Sequence, residues 1–335
     1  DLHSFPTRRS SDLLSLAPAT VATGGAVADT ADISVPGILF AQHAAVASLP
    51  AAGVPVTTSA APAAVIGHSQ GVLGVALLQA LAAADSPEPA DAAGVVEVHA
   101  IARLIGAAAA RTTRRLDLGT VGESTPMLSV RGVTRQVLDT VLSRVPGAQR
   151  ISVGVTNGRQ AHILSGRPAD LEAVVSALDA AARRSADNRK ERRRGGAVLS
   201  PVTEFLTTSV PFHTPLLAPA VDDVVAWAER AGLDAGLARR LAVAVLIDPV
   251  DWPELVAQAL AEAGSRLVVD LGPGTVLARL TEAVVAGTGT TVVPAGTARG
   301  IDDLDRPGAA PAPAVDRARF APRLTRNLTD RKSVV

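Results

Sequence analysis

Five consecutive residues, Gly67-His-Ser-Gln-Gly71, form the pattern G-x-S-x-G. Such a serine can serve as a nucleophile when the pattern lies between a strand and a helix, because the sharp turn lifts its hydroxyl clear of the backbone. Both flanks are present. Residues 63–66 read as a short buried strand, and Val72, Val75, Ala76 and Leu78 give the following residues the apolar side of a helix. Gly67 and Gly71, two before and two after the serine, are expected to leave room for the turn. Ser69 would then sit at a helix start, where unpaired N–H groups and the dipole favour negative charge, and the N–H of Gln70 could hold an oxyanion. The alternative is a serine that only caps the helix, followed by packing glycines.

A serine hydroxyl is a poor nucleophile at neutral pH and needs a nearby base. Of the six histidines, His3 lies in a doubtful terminus, His43 and His99 fall in helical patterns, and His162 alternates into a predicted strand. His213 differs: it stands between Pro211 and Pro215 in an irregular segment, where a stiff backbone can aim a side chain into a cleft. Ser69 and His213 are therefore the expected catalytic pair, and covalent acyl chemistry is what they would perform.

The elements that must position them alternate. Residues 35–60 form an amphipathic segment ending in a turn at Gly53 and Pro55, and the helix after Gly71 stops near Pro87. Another helix is predicted over 95–115, then a loop with Gly119 and Gly122. Strands at 127–130, 151–155 and 162–164, with helices at 135–144 and 171–182, predict a small ferredoxin-like α+β subdomain inserted in the chain. Residues 183–194 hold seven basic and two acidic residues, which reads as a solvated loop, or alternatively as a contact for coenzyme A phosphates. The main unit resumes with 198–208, a helix through Trp227, another over 235–244, and a second buried strand at 267–270 that ends in Gly272-Pro-Gly274. The expected fold class is α/β, a hydrolase-like parallel-sheet subdomain carrying the inserted α+β subdomain. The expected division is 14–124 and 195–299 for the two parts of the core, 125–194 for the insert, and 300–335 for a Pro-Ala-rich linker or tail.

Composition narrows the class. The chain has 335 residues, 47% of them apolar, with 32 basic residues against 32 acidic ones. That balance argues against a nucleic-acid binder with a broad basic face, and no run of about 20 apolar residues is evident that would span a membrane. No leader for secretion is seen. There is no cysteine, so thiolate metal sites and cysteine nucleophiles are excluded, no metal site is expected, and a cytoplasmic setting fits. Residues 1–13 and 330–335 look like translated sequencing-adapter read-through, which suggests a fragment that lost its true beginning.

Several motifs together carry a resemblance. Gly67-His-Ser-Gln-Gly71, Pro126-Met-Leu-Ser129, Asn157-Gly with Leu164-Ser-Gly166, Phe205-Leu with Pro211-Phe-His213, and Asp270-Leu-Gly-Pro-Gly274 resemble, in order over 35–297, the acyltransferase domain of fungal and bacterial type I fatty acid synthases, within the malonyl-CoA:acyl carrier protein transacylase superfamily. The resemblance implies that Ser69 and His213 shuttle an acyl group from coenzyme A to the phosphopantetheine thiol of an acyl carrier protein. It further implies that a backbone carbonyl near 245–249 orients the histidine. Asn157, His68 and Phe212 would line the substrate pocket. Acyl-coenzyme A would be substrate, with no permanently bound cofactor. The partners implied are the carrier protein and other synthase domains, without nucleic acid or membrane.

Substrate choice follows from one position. Malonyl-transferring relatives place an arginine before a glycine in the helix after the elbow, where its fork pairs with the malonyl carboxylate. The matching pair here is Ile105-Gly106, with Arg103 and Arg111 nearby. An apolar side chain cannot compensate a buried carboxylate, so a neutral acetyl group is expected, and Val72, where malonyl relatives have glutamate, agrees. The family's Gly-Gln-Gly loop, a second oxyanion donor, is missing before Ser69. Loss of one such donor costs roughly a hundred- to a thousandfold in turnover. The competing readings are a malonyl or palmitoyl transferase, a thioesterase-type hydrolase using the same dyad, and an inactive structural fragment of a synthase.

Overall fold

The computed structural model describes residues 30–49, 64–83, 92–187, 199–297 and 299–300. The 50–63 part of the first amphipathic segment, the basic run from 188 on, and both suspect termini lie outside the described residues.

Five helices bury their apolar sides against one another. They are α1 (Ala31–Ser48), α2 (Gly71–Ala83), α3 (Ala92–Arg115), and later in the chain α6 (Ala218–Arg230) and α7 (Ala235–Leu246). Leu39, Leu73, Leu77, Ile101, Ile105, Val224 and Leu241 are fully buried in this cluster. Leucine, valine and alanine do the filling because aromatic residues are only 2% of the chain. Residues Ala93–Arg115 are, by length and mean hydropathy, long and apolar enough to cross a membrane. No continuous apolar run is visible in the sequence because Glu97, His99, Arg103 and Arg111 interrupt it. Here the helix is the central member of the cluster, with Val98, Ala102, Ala108 and Ala109 buried against its neighbours.

Between α3 and α6 lies the inserted unit: β1 (Met127–Arg131), α4 (Arg135–Leu142), β2 (Ser152–Gly158), β3 (Ala161–Ser165), α5 (Pro168–Asp187) and β4 (Val202–Phe205). Thr134 caps α4 by accepting from the N–H of Val137. The strands run in the order β4-β1-β3-β2, all antiparallel neighbours, which is the ferredoxin-like order. Leu128, Val130, Leu138, Leu164, Leu171, Val174 and Leu178 form its separate core. β4 corrects the expected division at 194, since it pairs with β1 and is the edge strand of this sheet. Its Val202 and Glu204 are exposed, and a half-solvated edge strand gives no strong buried signal in sequence.

The sheet does not stop at β2. β5 (Val250–Asp251) joins it in parallel, with Val155 opposite Val250 and Thr156 opposite Asp251, so a strand of the main unit extends the insert's sheet. Asp251 then caps α8 (Trp252–Ala263) through the N–H of Glu254, with Pro253 in the first turn. The sequence reading did not identify β5 or α8. β6 (Leu267–Asp270) and β7 (Thr291–Pro294) pair in parallel around α9 (Val276–Val284).

One expected strand is absent. Residues 64–68 have no regular secondary structure and enter no ladder among the described residues, and residue 63 is not described. Ile66 instead packs against Trp252, Val256 and Val285.

Candidate active site

Ser69 sits in the turn between the irregular 64–68 stretch and α2, with a left-handed φ of 54°. That conformation is uncommon for a side-chain-bearing residue, and it points the side chain away from the chain on either side. Gly67 makes the turn possible: a Cβ there would overlap the backbone N of Val72 and the carbonyl of Gly71. The expectation of steric need at both glycines is half corrected. A Cβ on Gly71 would meet nothing within 4 Å among the described residues, because the close approach is of α2's first backbone atoms to Gly67 and not the reverse.

His213 also has a left-handed backbone, φ 61°, and its side chain is buried. Its Nε2 lies 2.7 Å from the Ser69 hydroxyl, and its Nδ1 lies 2.6 Å from the carbonyl oxygen of Asp248. A carbonyl only accepts, so Nδ1 carries the hydrogen, and Nε2 is left with the lone pair that accepts from Ser69. Burial, opposed by the Asp248 hydrogen bond, pushes the His213 pKa down from 6.5 to about 4. The imidazole is therefore neutral, and a competent base, at physiological pH.

Three contacts hold His213 in place. The N–H of Thr214 donates to Leu246 O at 3.1 Å. The hydroxyl of Ser152, in β2, donates to that of Thr214 at 3.1 Å. Gly154, also in β2, leaves the space: a Cβ there would lie 2.8 Å from the Cβ of His213. A register irregularity between Val153 and Val155 accompanies this position.

His68 turns to the other side of the serine. Its Nε2 donates to Asn157 Oδ1 at 2.7 Å, and its ring meets Trp252 edge-on with centroids 5.3 Å apart. Burial lowers its pKa, against the raising effect of Asn157 and of Asp270. Gln70 lies in the turn immediately before α2, where helix-start N–H groups lack the usual partner four residues back, and its side-chain Oε1 is buried without a partner among the described residues.

The remaining expected pocket residues divide. Phe212 is buried beside His213 in the helical core. Ile105 is fully buried in that core, and Gly106 lies so close to α1 that a Cβ would overlap the Ala31 carbonyl. Val72 packs on the edge of the same cluster. Arg103 and Arg111 are exposed, and Arg111 stacks over the Trp227 ring at 5.7 Å, so Ile105 is the inward position of the three. Among the described residues no three His, Asp or Glu side chains gather as metal ligands. The segment that would have carried a second oxyanion loop lies outside the described residues. Sequence reasoning bracketed Asp248 within 245–249 but missed Gly154 and Trp252. A glycine inside a strand pattern was the available signal for the first.

The arrangement can perform nucleophilic acyl chemistry: a half-buried hydroxyl on a tight turn, a neutral base in contact with it, an acceptor fixing that base's tautomer, and a helix start beside it.

Residues 126–205 match the family described as the fatty acid synthase central AT domain, a span that closes on the last residue of β4. The chain is similar to the fatty acid synthase beta subunit of Emericella nidulans, 38% identical over 100 residues, covering 28% of this chain and 5% of that protein. It is also similar to the fatty acid synthase subunit beta of Schizosaccharomyces pombe, 28% identical over 209 residues, covering 54% of this chain and 10% of that one. The chain thus spans at most a tenth of the length of these relatives. In structure it resembles the malonyl-CoA:acyl carrier protein transacylase of Xanthomonas oryzae, with a TM-score of 0.60 and 22% identity, covering 84% of this chain and 82% of that one. This last likeness establishes the shared fold.

Proposed function

From this resemblance to the acyltransferase domain of fungal type I fatty acid synthases, we propose that the chain transfers an acyl group from a coenzyme A thioester to the phosphopantetheine thiol of an acyl carrier protein. The observation that carries the reading is the continuous path from the Ser69 hydroxyl through Nε2 and Nδ1 of His213 to the Asp248 carbonyl. In the first half-reaction Ser69 Oγ attacks the thioester carbon while His213 Nε2 takes its proton. The developing oxyanion is stabilised by the Gln70 N–H and the start of α2. The tetrahedral species expels the coenzyme A thiolate, which receives the proton from His213, and leaves an ester on Ser69. In the second half-reaction the carrier thiol gives its proton to His213 and attacks the ester, and Ser69 is restored.

The acyl group favoured is acetyl. What supports this is Ile105, fully buried and apolar, at the position where malonyl-transferring relatives carry an arginine; an isoleucine there supplies no cation for a malonyl carboxylate, whose desolvation would go uncompensated.

Mass spectrometry after mixing with equimolar acetyl-CoA and malonyl-CoA tests both levels. Acetyl mass on Ser69, released when carrier protein is added, is the expected result. No ester on Ser69 from either thioester defeats the transfer reading, whereas a malonyl ester in excess defeats only the substrate choice. Ile105→Arg is expected to raise the malonyl share relative to acetyl.

A further inference from the structure

Five residues, 248 to 252, touch both histidines of the site. The Asp248 carbonyl accepts from His213, and Val250 and Asp251 pair with Val155 and Thr156, the residues that lead into Asn157. The Trp252 ring then meets that of His68 in a T-shaped arrangement, with centroids 5.3 Å apart and the planes at 74°. The indole is itself pinned, since its Nε1 donates to Thr281 Oγ1 at 3.1 Å in the buried interior, and that hydroxyl in turn donates to Leu277 O at 2.8 Å. The ring is almost wholly buried in the cluster that also takes Ile66, just before the elbow.

We infer that Trp252 is a positioning residue, which holds the His68 imidazole against Asn157 and thereby fixes the backbone immediately before the nucleophile. The inference rests on the acyltransferase reading only for its rate consequences. His68 is bonded covalently to Ser69, so a ring free to rotate would release the side-chain hydrogen bond to Asn157 that ties this side of the turn to β2. The other side of the turn is tied through helical bonds from Gly71, Val72 and Leu73 back to His68, Ser69 and Gln70. Trp252 supplies bulk and a T-shaped aromatic contact where a hydrocarbon chain would leave the imidazole loosely seated.

The test uses the full chain with Trp252→Leu, Trp252→Phe and Thr281→Val, read by nitrogen-15 signals of the His68 ring and by the rate of Ser69 ester formation from acetyl-CoA. In the wild type His68 should show the neutral form with hydrogen on Nε2. Trp252→Leu should shift those signals toward a mixture of tautomers and lower kcat of loading roughly ten- to a hundredfold, with KM little changed. Trp252→Phe, which keeps a ring edge, should recover most of both. Wild-type His68 signals in folded Trp252→Leu overturn the inference. If that variant does not fold, Thr281→Val decides: it should shift the same signals by unpinning the indole, and unshifted signals overturn the inference. A wild-type protein that loads neither acetyl nor malonyl on Ser69 refutes the acyltransferase reading, while the His68 signals still judge Trp252.

Discussion

Ser69 and His213, 144 positions apart in the chain, meet at 2.7 Å, and both reach that meeting through left-handed backbone, φ 54° and 61°. Such conformations are costly for residues with side chains and persist only where the surroundings over-determine them. Here the surroundings are identifiable: the bare Cα of Gly67 under one turn, and that of Gly154 behind the other. Two strained turns facing each other place a hydroxyl and a base in contact before any substrate arrives, which is the preorganisation that acyl transfer requires.

Removal of either partner should separate their roles. Ser69→Ala leaves no oxygen to acylate, so mass spectrometry should find no ester on that residue after mixing with acetyl-CoA. His213→Ala keeps the nucleophile and should slow ester formation about a hundred- to ten-thousandfold, the usual worth of a positioned base. Equal loading rates in wild type and His213→Ala would show that this imidazole takes no part.

The base also sets the acid limit. Because burial holds the pKa of His213 near 4, kcat/KM for loading should stay flat as pH falls through 6.5 and decline only as pH approaches about 4. Stability moves differently. The unfolded histidine takes up a proton near 6.5, and the folded one not until about 4. Protons therefore favour the unfolded chain across that interval, and Tm should fall as pH is lowered through it, levelling below 4 for this group. His99, lowered to about 4 by burial and by His43, contributes to the same slope. His213→Asn should remove only part of it. A loading profile that breaks near 6.5 would contradict the burial of His213.

The local half of this site was legible in sequence, and the long-range half was only partly so. Ser69 announces itself because a strand-like run, two glycines and an apolar helix occupy adjacent positions, and Gly67 does have the steric role its spacing suggests. His213 could be chosen because prolines flank it, although no periodicity records its distance from Ser69. Gly71 shows the limit of motif reasoning: the pattern contains it, but the described neighbours leave room for a Cβ. The α+β insert was readable because its helices and strands each show a clean period, with Leu138 and Val141 or Leu171, Val174 and Leu178 on one face. β4 was misassigned and β5 missed for a common reason: short strands at or near a sheet's edge are held by backbone pairing, which side-chain patterns do not encode. Residues 64–68 show the converse, a strand-like pattern that enters no ladder among the described residues, with Ile66 partly buried against the cluster of Trp252 and Val285.

The partner of Nδ1 is a main-chain carbonyl, and this distinguishes the site from an acid-oriented triad. Where a carboxylate orients the histidine, its conversion to the amide lowers kcat about ten-thousandfold. Here Asp248→Asn leaves the carbonyl in place, and loading should remain within about tenfold of wild type. A loss of the triad's size would assign the orienting role to the Asp248 side chain.

The space behind His213 gives the most direct steric test. Gly154 faces the Cβ of His213 at 2.8 Å, its carbonyl oxygen at 3.1 Å and the Ser165 hydroxyl at 3.1 Å, as seen from a Cβ built on the glycine. None of these atoms is the far end of a flexible chain, and Ser165 is fully buried, so Gly154→Ala must displace the backbone that carries the imidazole. A shift approaching 1 Å is enough to lower turnover by up to about a hundredfold, and it should appear in kcat and not in KM, since the thioester is bound elsewhere than behind the ring. Gly158→Ala is the control on the same strand, because its Cβ would find only the Cβ of Ala161 at 3.9 Å, an ordinary contact. With both variants folded, as judged by circular dichroism, the Gly154 change should slow loading and the Gly158 change should not. Equal rates would mean that β2 does not set the position of the base.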